Sequence, residues 1–196
     1  MDEGPVGTVR DANEEGKPDH RLRAAIPPNR IGLTGVDHIA LPVGDAERLA
    51  RFYIEVLGAS VFYVSRLSPE ARAAGRKSYW MVHMGSQVIQ FLPPLDGAEV
   101  PRRDHPSMFP HYAFGCTARQ LDEACERLAG AGVPFAGPMG HHAAEAVSVY
   151  FRDPEGNTLE LCTWEPFGRQ VPMLTGPIAW QDMLYDWQPS GESVSP

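Results

Sequence analysis

The sequence predicts an α+β fold in which one programme, a strand, a helix and about three further strands, runs twice. Three observations carry this prediction. Two stretches, "VDHIALPV" and "HYAFGC", alternate apolar and small or polar residues as strands do. Each is followed by an amphipathic helical pattern, and each copy closes on strand-like segments.

In the first copy Val36 to Val43 reads as the opening strand and Asp45 is placed to cap a helix. Leu49, Phe52, Tyr53, Val56 and Leu57 recur at helical spacing, and Gly58 ends the run. "ASVFYVSRL", "KSYWMVHMG" and "QVIQFLPP" then supply strands, with "LSPEARAAGRK" read as a loop between them. In the second copy Tyr112, Phe114 and Cys116 alternate with His111, Ala113 and Gly115. Thr117 and Gln120 have capping-box spacing, and Leu121, Ala124, Cys125 and Leu128 line one helical face. "PFAGPM", "AVSVYFRD" and "NTLELCTW" close the copy. Two such units side by side make an α+β domain on a curved mixed sheet.

The repeat occupies residues 31–166, with copies at 31–100 and 101–166. Residues 1–30 mix charges, hold few large apolar groups and show no period, which is the pattern of a flexible arm. Residues 167–196 differ, because Phe167, Met173, Leu174, Ile178, Trp180, Met183, Leu184, Tyr185 and Trp187 are too many apolar groups to leave in water. This tail is expected to serve as a lid or an interface.

Composition narrows the function. A net charge of −8 argues against a nucleic-acid partner, and no apolar run approaches a membrane span. The acidic start lacks a secretory pattern, so a cytoplasmic protein is expected. Cys116, Cys125 and Cys162 are odd in number and lack zinc-type spacing, so they read as reduced thiols.

The repeat also aligns chemistry. His38 and His111 hold the same place in the two opening strands, and Gln90 and Glu160 the same place in the two closing ones. Strand alternation turns their apolar neighbours toward the helices and these four polar groups toward the concave face. Burying such a set without partners costs several kcal/mol, and a divalent cation relieves that cost. A metal site is therefore expected.

With "DHIALPVGD", "HYAFG" and "YFRDPEGNTLEL", the chain resembles the vicinal oxygen chelate superfamily from Gly35 to about Trp164. That superfamily includes glyoxalases, methylmalonyl-CoA epimerases, extradiol dioxygenases and fosfomycin-resistance transferases. The resemblance implies paired βαβββ modules forming a curved mixed sheet around a metal cup. It assigns His38, His111 and Glu160 as ligands, with Gln90 as an optional fourth. It also implies a homodimer and a small-molecule substrate with vicinal oxygens.

The stretch from Gly140 to Glu160 further resembles the extradiol dioxygenase signature, through His142, Val149, Tyr150, Asp153, Pro154 and Gly156. That resemblance implies Fe(II), dioxygen and a catechol-like aromatic, with His142 and Tyr150 as catalytic groups. Two histidines and a carboxylate leave open positions for both reactants. The order His, Gln, His, Glu is also similar to methylmalonyl-CoA epimerases, which implies enolate chemistry on a chelated oxygen pair, and Mn(II), Co(II), Ni(II) or Zn(II) would serve there. Fosfomycin-resistance transferases share "HYAFG", but the cationic loop those enzymes use is missing around Gly140 to Ala144. Arg169 is the residue expected to meet an anionic group.

Overall fold

The structure is a computed structural model that describes residues 35–94, 98–100, 103, 110–141 and 144–191. The proposed arm at 1–30 and His142 lie outside the described residues.

The first module opens with β1 (His38–Pro42) and α1 (Ala46–Glu55), continues through β2 (Ser60–Val64) and α2 (Pro69–Ala73), and closes with β3 (Trp80–Met84) and β4 (Gln87–Leu92). The second runs β5 (His111–Gly115), α3 (Ala118–Gly130), β6 (Phe135–His141), β7 (Ala144–Arg152) and β8 (Thr158–Thr163). Each helix starts where a side chain satisfies a free backbone donor. Asp45 accepts from the Arg48 amide at 3.0 Å, and Thr117 and Gln120 close a reciprocal capping box. After α1 the chain turns at Gly58, whose φ of 76° suits glycine. The segment read as a loop contains α2, because the Ser68 hydroxyl accepts from the Ala71 amide and Pro69 starts a turn without needing its own N–H.

The α+β fold of paired βαβββ modules is present, with its strands divided between two four-stranded mixed sheets. Their orders are β1-β4-β3-β2 and β5-β8-β7-β6. In each, the opening strand pairs parallel with the closing strand and the remaining pairs are antiparallel. The registers repeat as well: Ala40 faces Gln90, and Ala113 faces Glu160. On the helix side, Leu41, Phe52, Tyr53, Phe91, Leu121, Leu128, Phe151 and Leu159 belong to one buried core drawn from both modules.

Polar contacts join the modules. Tyr53 of α1 donates to Asp153 in the turn before β8 at 3.3 Å, and Arg127 of α3 donates to the Val56 carbonyl at 3.3 Å. Asp153 also accepts from the Glu155 and Asn157 amides and the Asn157 side chain. Burial outweighs these bonds and raises its pKa from 3.8 to about 6. The folded chain therefore holds this proton at pH values where the unfolded chain has released it. Stability contributed here falls as pH rises from 3.8 to about 6 and is level above. Asp153→Asn should flatten that part of the stability profile, measured by urea unfolding at a series of pH values. A variant whose profile runs parallel to the parent's throughout would contradict the assignment.

The tail folds back over both modules. Gly140 donates to the Pro172 carbonyl and accepts from the Leu174 amide, each at 2.9 Å, so residues 172–174 bridge to β6. A 3₁₀ turn at Trp180–Met183 buries Trp180 and Met183 against Tyr150. Tyr185 then donates to the Arg152 carbonyl at 2.8 Å, and Trp187 packs on Phe52 of α1.

Candidate metal centre

His111 and Glu160 meet on the face of the second sheet opposite its helix. Their strands, β5 and β8, are parallel neighbours, and Glu160 stands two residues beyond the position that faces His111. Leu159 and Leu161 enter the core, so strand alternation sends Glu160 the other way. His111 Nε2 lies 2.9 Å from Glu160 Oε2.

The other carboxylate oxygen is also held. Ser148 Oγ on β7 donates to Glu160 Oε1 at 2.6 Å. That bond uses the only proton of the hydroxyl, so Ser148 accepts from His141 Nε2, 3.1 Å away, which places the imidazole proton on Nε2. Tyr150, opposite Glu160 in the ladder, has its hydroxyl 3.3 Å from the same nitrogen. Burial, then the Glu160 charge and hydrogen bond, push the Tyr150 phenol well above its ordinary range, so it stays a proton donor. Burial likewise raises the half-buried Cys162 thiol. Glu160, Ser148 and Tyr150 are all buried, while His141 is partly open.

Of the residues expected here, His111, Glu160 and Tyr150 come together. His38 and Gln90 stand on β1 and β4 of the other sheet in the same diagonal relation, with His38 facing Val88 and Gln90 facing Ala40. Among the described residues no three His, Cys, Asp or Glu side chains gather as a metal-holding group. The strands divide between two sheets, and His38 does not gather with His111 and Glu160 into one group of three. His38 is 46 % exposed, and its Nδ1 is 2.7 Å from Asp37 Oδ1. Arg169 pairs with Asp122 at 2.7 Å and covers the Phe167 ring.

His141 and Ser148 are the residues that strand counting passes over. Their signal was parity with Glu160 in the case of Ser148. For His141 no local signal existed, because β6 shifts register between Ala136 and Met139 and again at Gly140 and His141. Each irregularity changes which face a side chain takes.

The donor set fits a divalent first-row ion. An imidazole nitrogen and a carboxylate oxygen are borderline ligands for such metals. His111 Nε2 and Glu160 Oε2, 2.9 Å apart, are close enough that one ion could be held by both. The Ser148 bond steadies the carboxylate from behind, as outer-shell partners of metal ligands do.

The model of the Glyoxalase/Bleomycin resistance protein/Dioxygenase superfamily matches residues 35–161. The chain belongs to this superfamily. The superfamily match takes in both modules and the His111–Glu160 pair up to the residue after Glu160, and it stops before the tail. Among curated proteins, the chain is 27 % identical over 129 residues to the glutathione transferase FosA of Serratia marcescens, covering 66 % of this chain and 80 % of that one. It is 26 % identical over 132 residues to the metallothiol transferase FosB of Shouchella clausii, covering 67 % and 81 %. Among solved structures, the fosfomycin resistance protein FosX of Listeria monocytogenes, complexed with Mn(II) and sulfate, shares the fold. Its TM-score is 0.52 at 21 % identity, covering 67 % of this chain and 93 % of that one. None of these three superfamily relatives is named as an oxidoreductase. Among the described residues of this superfamily member, no helix is long and apolar enough to cross a membrane.

Proposed function

We propose that this chain is a divalent-metal enzyme acting on a small substrate through two neighbouring oxygens. His111 and Glu160 of one copy hold the ion together with His38 of a second copy, and Gln90 stands beside His38 as an optional fourth donor. The observation that carries this reading is the 2.9 Å approach of His111 Nε2 to Glu160 Oε2, braced by Ser148. The exposure of His38, with Asp37 holding its Nδ1, supports its presentation to another copy.

When bound, a divalent ion supplies Lewis-acid polarisation of the substrate oxygens. Ser148 fixes the carboxylate, and the Tyr150 hydroxyl donates a hydrogen bond to a substrate oxygen. His141, whose Nε2–H donates to Ser148, would hold the polar wall beside that oxygen, near where the sequence pattern placed His142. The transferase names of the relatives, and the Mn(II) of FosX, favour addition of a nucleophile to the held substrate.

A second reading, ring cleavage of a catechol with Fe(II) and dioxygen, is favoured by the pairing of Tyr150 with His141 next to Glu160. The two readings separate in one assay series. Thiol-dependent loss of an epoxide under Mn(II), without oxygen, supports transfer, whereas oxygen uptake with catechols under Fe(II) supports cleavage.

Shared construction of the site has its own test. His38→Ala and Glu160→Ala chains should each fail to hold metal alone. Mixed and re-equilibrated, half the pairs should be hybrid with one intact site, giving about a quarter of the parent's metal content. A mixture that stays empty would end the proposal that two copies complete one site.

A further inference from the structure

The tail builds one wall of a cavity, from residues 172–179 with Asp182 and Met183, beyond the superfamily match that ends at residue 161. β6 forms the other wall, and the open cavity between them has a volume of about 520 Å³, within the size range of small-molecule sites. We propose that this cavity is a binding site for a neutral aromatic ring. The assignment stands apart from the metal-enzyme reading.

The construction is specific. The bridge between Gly140 and the tail sets the cavity's end, and it depends on a residue without a side chain. A Cβ at Gly140 would come within 2.8 Å of Met173 Sδ. Ala136, Met139, Ile178 and Met183 line the cavity and also pack in the cluster around Tyr150. The cavity therefore backs directly onto the residue whose hydroxyl meets His141 and Glu160. Trp180 closes the stack, edge to face with Tyr150 at 6.0 Å.

The lining selects the ligand class. Asp182 is its one ionisable side chain among the described residues, so a phosphonate or carboxylate finds no cation and meets a like charge. Met139, Met173 and Met183 offer polarizable sulfurs, which favour aromatic edges and adapt to ring shape. Met173 is 40 % exposed and so stands at the rim, where a ligand can enter.

The test is a fluorescence titration of the full chain with N-phenyl-1-naphthylamine, a neutral probe that brightens in apolar surroundings. Saturable binding at one probe per chain is expected. Met173→Lys puts a charge at the exposed rim. Gly176→Trp introduces a ring at a lining position where an added Cβ meets nothing within 4 Å. Each should weaken binding about tenfold or more with melting temperature unchanged, and methylphosphonate should not displace the probe. His111→Ala should keep the probe while losing metal, so a failed metal proposal leaves this result standing. Non-saturable binding, equal binding by both variants, or displacement by methylphosphonate would overturn the subsite.

Discussion

Glu160→Ala should release the metal from a protein that still folds. Glu160 supplies a full negative charge to the proposed centre and lies 2.9 Å from His111 Nε2. Losing an outer-shell partner alone weakens metal binding by roughly tenfold to a hundredfold, so losing the carboxylate itself should exceed about a hundredfold. The fold survives because the side chain leaves the strand face opposite the core, and Leu159 and Leu161 keep their packing. The buried Ser148 hydroxyl loses its acceptor, which costs about 1–3 kcal/mol and is tolerable for a domain of this size. Elemental analysis should show less than about a tenth of the parent's metal, with an unchanged circular dichroism spectrum. His111→Ala should behave in the same way. Full metal retention by both variants would remove the site from the second sheet.

Trp187→Ala should cost about 3–5 kcal/mol of stability, although residue 187 stands far beyond the superfamily match. The indole is 7 % exposed and meets the fully buried Phe52 ring edge to face at 5.4 Å. Its carbonyl accepts from Arg48 Nε at 2.9 Å and Nη2 at 2.7 Å, so the truncated chain keeps its path and leaves a cavity rather than collapsing. Two residues earlier, Tyr185 bonds to the end of β7, which makes this part of the tail a strap between the modules. The midpoint of urea unfolding should fall with the slope unchanged. A loss below about 1 kcal/mol would show that α1 does not depend on the strap.

Local patterns made much of this molecule legible. The caps at Asp45 and Thr117 read directly from residue spacing, because capping uses atoms within three residues of one another. The inward placement of Glu160 was equally readable, since alternation along β8 is a period-two property of the chain itself. The α2 turn was not read, because five residues carry too little periodicity to separate a helix from a loop.

By itself, then, the sequence determined the doubled module and the matching places of His38 and His111 in the opening strands and of Gln90 and Glu160 in the closing ones, all consequences of short-range periodicity. Only the tertiary structure decided that the strands form two sheets and that His38 lies apart from His111 and Glu160. It also decided that His141 faces Tyr150, that the tail bridges to Gly140 and that Trp180 packs on Tyr150. These features depend on register shifts in β6 and on contacts between residues tens of positions apart. Their energies come from packing and long-range hydrogen bonds, which no local repeat in the chain encodes.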